Sequence, residues 1–160
     1  MQNKRESRRP SPKNKLDFEH KVIQVRRVTR VVAGGRRFSF SVAVIAGDRK
    51  GKIGVGVGKA SDTALAIDKA INSAKKNMIK LSLTDSQSIP YEVNAKFNAS
   101  IIKIKPSPGR GLVAGSSART VLDLAGIKDV SAKLTSRSKN KLNNARVAMN
   151  ALALFTAEQN

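Results

Sequence analysis

Two glycine-rich runs in this chain have the residue types that hold phosphate. The first is Gly51-Lys-Ile-Gly-Val-Gly-Val-Gly-Lys59. A Walker A loop needs a glycine, four residues, then Gly-Lys-Ser/Thr. Counting back from Gly58-Lys59 lands on Ile53, and Ala60 stands where the hydroxyl should be. The dinucleotide fingerprint fails as well, because Gly56 and Gly58 are followed by Ser61 at the third position. Strand glycines that let something approach the backbone closely are the better account. The second run, Pro106 to Arg119, sets Gly109, Gly111 and Gly115 ahead of a helix N-terminus carrying Ser116 and Ser117. Free N–H groups and the helix dipole there would hold a phosphate.

Other chemistries find no residues. There is no cysteine, which removes thiolate catalysis, disulfides and Cys-based zinc sites. The single histidine, His20, cannot build a metal site and reads as a solvent-facing strand residue. No Ser-His-Asp set or carboxylate pair emerges. Asp48, Asp62, Asp68, Asp85, Asp123 and Asp129 lie beside turns, caps or cations, where carboxylates are usually structural. No metal, cofactor or catalytic residue is therefore expected.

Charge supplies the positive indication. The 160 residues hold 31 Lys and Arg against 11 Asp and Glu, a net charge of +20. Self-repulsion of that size destabilises a free compact state and calls for a polyanionic partner. An anionic membrane is disfavoured, since there is neither a basic amphipathic terminal helix nor an apolar run of about 18 residues. Nucleic acid is the expected partner. One Tyr and five Phe are too few for modules that stack bases on aromatic platforms. The N-terminus shows no apolar signal core, so secretion is not expected.

The elements that must position these residues follow in order. Residues 1–15 are a basic tail (Lys4, Arg5, Arg8, Arg9, Lys13, Lys15), disordered alone and able to order on RNA. Leu16 to Val32 is extended with an imperfect period, which suggests a bulge near Gln24. Ala33-Gly34-Gly35 turns the chain. Phe38, Phe40, Val42, Val44 and Ala46 then share one face of a strand, and Arg37, Ser39, Ser41, Ala43 and Ile45 the other. This is the alternation of a half-buried antiparallel strand. Gly47 to Gly51 is a turn, and the next strand sets Ile53, Val55 and Val57 opposite a bare row of Gly54, Gly56 and Gly58. Ser61 or Asp62 caps a helix running to about Lys80, with Ala64, Ile67, Ile71, Ala74, Met78 and Leu81 as its apolar stripe. Three strands crossed by one helix make a small α+β domain over 16–82. The sheet's opposite face, or its loops, is left for RNA.

A polar linker spans 83–89. The second domain, 90–157, begins with strands Tyr91–Asn98 and Ser100–Lys105, anchored by Ile101, Ile102 and Ile104. After the 106–119 loop comes a helix with Val121, Leu122 and Ala125 inward and Gly126 as its C-cap. A strand over Asp129–Thr135 and a helix over Asn140–Thr156 follow, the latter striped by Leu142, Ala145, Met149, Leu152 and Phe155. Residues 158–160 form a tail.

Two resemblances add to this reading. Pro-x-x-Gly-Leu-x-x-Gly-Ser-Ser-Ala in the 106–119 loop resembles the ATP loop of small-molecule kinases acting on galactose, homoserine and mevalonate. No general base accompanies it, and Asp123 sits inside the helix. The wider resemblance is to small-subunit ribosomal protein five, bacterial or plastid type. It rests on Gly34-Gly35-Arg36-Arg37-Phe38-Ser39-Phe40, Val44-Ile-Ala-Gly-Asp48, Gly51–Lys59, Ala66-Ile-Asp-Lys-Ala70 and Lys75-Lys-Asn-Met78. In the second half it rests on Pro106, Gly111-Leu-Val-Ala-Gly115, Arg119-Thr-Val-Leu-Asp-Leu-Ala-Gly126, Val130, Lys133, Asn140 and Asn143. The chain departs from that pattern at Asp62-Thr63-Ala64, where Glu-Val-Pro is usual. It departs again at Arg137-Ser138, where Gly-Ser is usual and one extra residue precedes.

The resemblance implies an N-terminal domain like a double-stranded-RNA-binding fold and a C-terminal left-handed βαβ domain related to those kinases. It also implies a structural constituent of the small ribosomal subunit that binds its rRNA beside ribosomal proteins four and eight. The place implied is near the path by which mRNA enters, with an influence, through protein four, on decoding accuracy. The location would be a bacterial cytoplasm, or an organellar stroma or matrix. Arg30 to Arg36, with Gly34 and Gly35, resembles the segment reaching the junction of head and body. Gly111 and Arg119 match the protein-four interface. The expected RNA contacts are Arg26, Arg27, Arg30, Arg36, Arg37, Arg49, Lys50, Lys52 and Lys59, then Arg110, Lys133, Arg137, Lys139 and Arg146. The alternatives are a free RNA-binding regulator and, remotely, a nucleotide-binding enzyme using the 106–119 loop.

Overall fold

The computed structural model describes residues 18–84 and 86–156. The expected tails 1–15 and 158–160 lie outside them, as does Asp85. The first unit is β1 (Glu19–Val32), β2 (Gly35–Gly47), β3 (Lys52–Ala60), α1 (Thr63–Lys76) and β4 (Met78–Lys80). Its antiparallel sheet has the order β1-β2-β3-β4. The second unit is β5 (Val93–Phe97), β6 (Ser100–Pro106), β7 (Leu112–Val113), α2 (Ser116–Ala125), β8 (Val130–Leu134) and α3 (Lys141–Ala153). Its sheet has the order β5-β6-β8-β7; β7 and β8 are parallel and joined through α2 as a βαβ unit. The chain is thus a two-domain α+β protein.

Local signals hold where they are local. The β1–β2 register slips between Val22 and Gln24, the bulge that the broken alternation suggested. Asp62 is the N-cap of α1, accepting from the Thr63 N–H. Gly126 caps α2 in the left-handed conformation at φ 82°. His20 is exposed on β1.

The first sheet has four strands, not three. Helix α1 ends at Lys76, one turn short of the expected Lys80, and Met78–Lys80 pairs with β3 instead. Lys52–Gly54 would otherwise be an open edge, and its N–H and C=O groups take these residues. The α1 stripe is also displaced. Ala66, Ala70, Ile71 and Ala74 are buried while Ala64 is exposed. The reason is the glycine row of β3. A Cβ on Gly54, Gly56 or Gly58 would lie 2.3, 2.2 or 2.2 Å from the carbonyl oxygens of Ala74, Ala70 and Ala66 respectively. What approaches those glycines is this helix, and only its small residues fit so close.

The sheet's other face is not left open, as expected, but covered. Ile45 of β2 and Ile53 of β3 join one cluster with Val121, Leu122, Ala148 and Leu152 of α2 and α3. Val42 and Val44 face the opposite way, packing with Ala66, Ala70 and Ile71. Residues Val42 to Gly47 are therefore buried on both faces rather than half-buried. The turn after β2 docks into the C-terminus of α2: Arg49 and Gly51 donate backbone N–H groups to the Leu124 and Ala125 carbonyls, each at 3.0 Å. The helix's last carbonyls, orphaned by helix geometry, are satisfied across the joint. The expected linker is packed too, with Ser88 and Ile89 buried and the Ser82 N–H on the Phe155 carbonyl at 2.8 Å.

In the second unit Ile102 and Ile104 are fully buried, but Ile101 points outward and is 40% exposed. Ile101 is thus not the core anchor it was expected to be. On α3 the buried set is Asn144, Ala145, Val147, Ala148, Ala151 and Leu152, with Leu142 and Met149 only half-buried. The helix is wedged between the two sheets and presents a wider face than one stripe. Asn144 is buried because it is satisfied: its Oδ1 accepts from Ser100 Oγ at 2.7 Å and its Nδ2 donates to the Ser138 carbonyl at 3.1 Å.

Candidate nucleic-acid interface

The outer half of the β1–β2 hairpin, Arg26–Val32 with Gly35–Ser39, holds no buried residue and lies outside both core clusters. Directly paired residues on an antiparallel ladder share a face. The register pairs Arg26 with Ser41 and Arg30 with Arg37, and Ser41 in turn with Lys59 of β3. Arg26, Arg30, Arg37 and Lys59 therefore share one face, all exposed. Arg30 directly opposite Arg37 is a repulsive pair that an anion between them would relieve. With the Gln24 amide oxygen turned to Arg26, that oxygen accepts from Arg26 Nε at 2.7 Å and aims the guanidinium.

Arg27 and Arg36 lie on the other face. The Arg27 guanidinium stacks 3.6 Å from the Phe38 ring centroid, with exposed Val25 and Val31 beside it. The tip is Ala33-Gly34, and Gly35 sits at φ 125°, which requires glycine. Stacking Arg27 on Phe38 fixes a charge that would otherwise wave freely.

The arginine face runs into a cleft at the start of α3. Gln24, Arg26, Ser41 and Ala43 line it together with Asn140 and Leu142, and Arg137 and Lys139 precede Asn140 in the chain. A second cleft, of about 220 Å³, joins Lys21 of β1 to Ser116, Ser117 and Thr120 of α2 and to Lys141 of α3. Both helix N-termini thus face β1.

The remaining expected residues are scattered. Arg49 is paired with Glu19, Nη2 to Oε2 at 2.9 Å, and its backbone belongs to the joint with α2. Lys50 and Lys52 are exposed, while their N–H groups bond Asp48 Oδ1. Arg110 is exposed on the 106–119 loop and Arg119 on α2. Arg146 lies 5.7 Å from the Phe97 ring centroid, on a cavity shared with Val55, Asn77, Met149 and Asn150.

Several polar groups of the 106–119 loop are already engaged within the chain. The Gly111 N–H is already donated to Asp129 Oδ1 at 3.0 Å, and the Arg110 N–H to the Ser107 carbonyl at 3.3 Å. Ser117 Oγ is spent on the Lys141 carbonyl. Asp48, Asp62 and Asp129 all act structurally, in a turn, a cap and a loop tie. Among the described residues no group of three or more His, Asp or Glu could hold a metal ion, and no helix is long and apolar enough to cross a membrane.

Sequence reasoning missed Lys96, Lys103 and Lys105 on the outer face of the second sheet, where it named Lys133 alone. The signal was present: Ile102-Lys-Ile-Lys105 alternates strictly, so burying the isoleucines turns both lysines out.

Comparison with known proteins agrees across the chain. Residues 18–82 match the family model described as "Ribosomal protein S5, N-terminal domain", and residues 95–158 match "Ribosomal protein S5, C-terminal domain". "Small ribosomal subunit protein uS5c" of Guillardia theta is 49% identical over 153 residues, covering 95% of this chain and 89% of that protein. "Small ribosomal subunit protein uS5" of Thermosynechococcus vestitus is 44% identical over 160 residues, covering 99% and 91%. The protein of Gracilaria tenuistipitata var. liui that carries the uS5c name is 48% identical over 145 residues, covering 90% and 84%. With both family models in order and relatives this similar along nearly the whole length, the chain belongs to the ribosomal protein S5 family.

Proposed function

We propose that this chain is built into the small ribosomal subunit as a structural constituent that clamps rRNA by phosphate contacts. The observation that carries the reading is the arginine face of the projecting hairpin: Arg26, Arg30, Arg37 and Lys59 exposed together, with no acidic residue in that stretch. Side chains of this type hold backbone phosphates and read RNA by shape rather than by base edges. Arg36, Arg27, Gly34 and Gly35 at the tip extend the contact. Arg110, Arg137, Lys139 and Arg146 supply contacts from the second domain, and Lys50 and Lys52 from the turn beside the joint. Membership in this family makes the protein a non-enzymatic component of the ribosome, in the cytoplasm or the plastid stroma.

The finer reading places Gly111 and Arg119 against ribosomal protein four, with ribosomal protein eight also adjacent and the path of incoming mRNA nearby. Through the contact with protein four the chain would support decoding accuracy. The exposed Arg119 on α2 supports this, since among the described residues it makes no ion pair and an acidic neighbour can reach it.

The test is sedimentation of the tagged protein through a sucrose gradient after a moderate salt wash. Near-unit stoichiometry with small subunits is expected; a peak at the top of the gradient would sink the assignment. Charge reversal, Arg36→Glu with Arg37→Glu, should weaken RNA binding while leaving the melting curve in place. Unchanged binding at low and moderate salt would remove both from the interface.

A further inference from the structure

The outer face of the second sheet is strongly basic. Helices α2 and α3 cover the inner face, where Val93, Ile102, Ile104, Val130 and Ala132 are buried. Alternation turns Asn94, Lys96, Lys103, Lys105 and Lys133 outward, all exposed. The register pairs Lys103 directly with Lys133, and Asn94 with Lys103. Like charges directly opposite on a ladder destabilise the sheet. Among the described residues, the one ion pair on this face joins Lys103 to Glu92, which leaves Lys96, Lys105 and Lys133 without a charged partner.

We propose that this face is a second RNA-docking surface, separate from the hairpin, which takes the sugar-phosphate backbone of a helical segment. The inference rests on the reading of the chain as an rRNA binder and adds a distinct contact to it. Charge and side-chain composition favour RNA over protein as the occupant. Protein–protein interfaces are depleted in lysine and anchored by aromatic residues and arginine. Here there are four lysines, no arginine and no outward aromatic, with only Ile101 and Val113 as apolar side chains. Lysine serves as a mobile point charge for phosphate. Without an aromatic platform the face cannot stack unpaired bases, so a duplex backbone fits it better than a single strand. A chain that grips one RNA segment with the hairpin and another with this sheet ties the two together through the hydrogen-bonded joint between turn 48–51 and α2.

The experiment uses the full-length chain and transcribed small-subunit rRNA. Three variants are compared: Lys96→Gln/Lys105→Gln/Lys133→Gln, the same three positions changed to Arg, and Arg26→Gln/Arg30→Gln/Arg37→Gln. The glutamine variant of the sheet should fold with an unaltered or higher melting temperature, as repulsion is removed. Its affinity at moderate salt should fall roughly tenfold or more, and the slope of log K against log salt should drop by about 2–3 for three lost phosphate contacts. The arginine version should restore both. In backbone footprinting the sheet and hairpin variants should lose protection at different RNA segments. Loss at the same segment would overturn a separate surface. Unaltered RNA binding by the sheet variant, with the hairpin variant impaired, would also overturn the inference and leave the rRNA-binding reading intact. If that variant then failed only to join the assembled subunit, the occupant would be a protein. Unaltered binding by both glutamine variants would overturn the reading beneath it.

Discussion

The two halves of the β1–β2 hairpin are built from the same pair of strands and have opposite fates. In the inner half, Val42 to Gly47 are covered on both faces, by α1 on one and by α2 and α3 on the other. In the outer half Val25, Val31 and Phe38 are 51%, 74% and 46% exposed, and every arginine is in solvent. A long ladder rooted in a core this well packed can carry an arm that needs no core of its own. Stability is concentrated at the root and recognition at the tip, so substitutions in the two halves should separate the two properties.

The largest separation should come from the glycines at the root. Gly56→Val would drive a side chain into the Ala70 carbonyl and the Ala74 backbone, 2.2 and 2.3 Å from where its Cβ must stand. Helix α1 would have to lift, at a cost of about 3 kcal/mol or more. Chemical denaturation should show a collapse of the midpoint. An intact midpoint would mean that the helix does not sit on the glycine row.

Gly47→Ala tests the joint next. Its Cβ would meet the Leu124 carbonyl at 2.3 Å, and a loss of about 2–3 kcal/mol is expected. The same change at the tip, Gly34→Ala, meets nothing within 4 Å and needs no left-handed backbone. It should be neutral or stabilise by about 0.4–1 kcal/mol by restricting the unfolded chain. Equal effects at the two sites, read by calorimetry, would erase the contrast between root and arm.

Arg30→Gln with Arg37→Gln inverts the pattern. Stability should move by less than about 0.5 kcal/mol, since both side chains are exposed and mutually repulsive. The salt slope of rRNA binding should fall by about 1–2 for two lost phosphate contacts. The smallest effect belongs to the Arg49–Glu19 pair at the edge of the joint. A double-mutant cycle with alanine at both sites should give a coupling below about 1 kcal/mol, because both side chains are more than half exposed.

Much of the fold was legible because its signals are local. The bulge near Gln24, the Asp62 cap, the Gly126 cap and the inward set Val121, Leu122 and Ala125 each depend on residues within a turn or two. The misreadings share a different cause. The α1 stripe was drawn through Ala64, Ile67, Ile71 and Ala74, whereas the glycine row also takes in Ala66 and Ala70 and leaves Ala64 exposed and Ile67 half-buried. Met78-Ile79-Lys80 continued the helical pattern and became a strand because a distant edge claimed it. Ile45 looked like the back of a half-buried strand until residues more than 70 positions later covered it. In the candidate site, the hairpin arginines were legible from charge and alternation together. Arg49 was not, because its partner Glu19 lies 30 residues away. Lys103 and Lys105 were legible as well, since they alternate with Ile102 and Ile104, whose burial turns both lysines outward.

The shared cluster around Ile45, Ile53 and Leu81 also sets a timetable. The first sheet can close as soon as Leu81 has left the ribosome that makes the chain, but Phe155 and the last turns of α3 complete its cover. About 75 residues separate the two, roughly 4–15 s of synthesis at about 5–20 residues per second. For that interval the nascent first domain shows an uncovered apolar face on a strongly basic chain, a surface that invites a chaperone on one side and stray RNA on the other. The antiparallel bridge between Leu81 and Thr156 forms only when the last helix has arrived, so the end of the chain closes what its beginning left open.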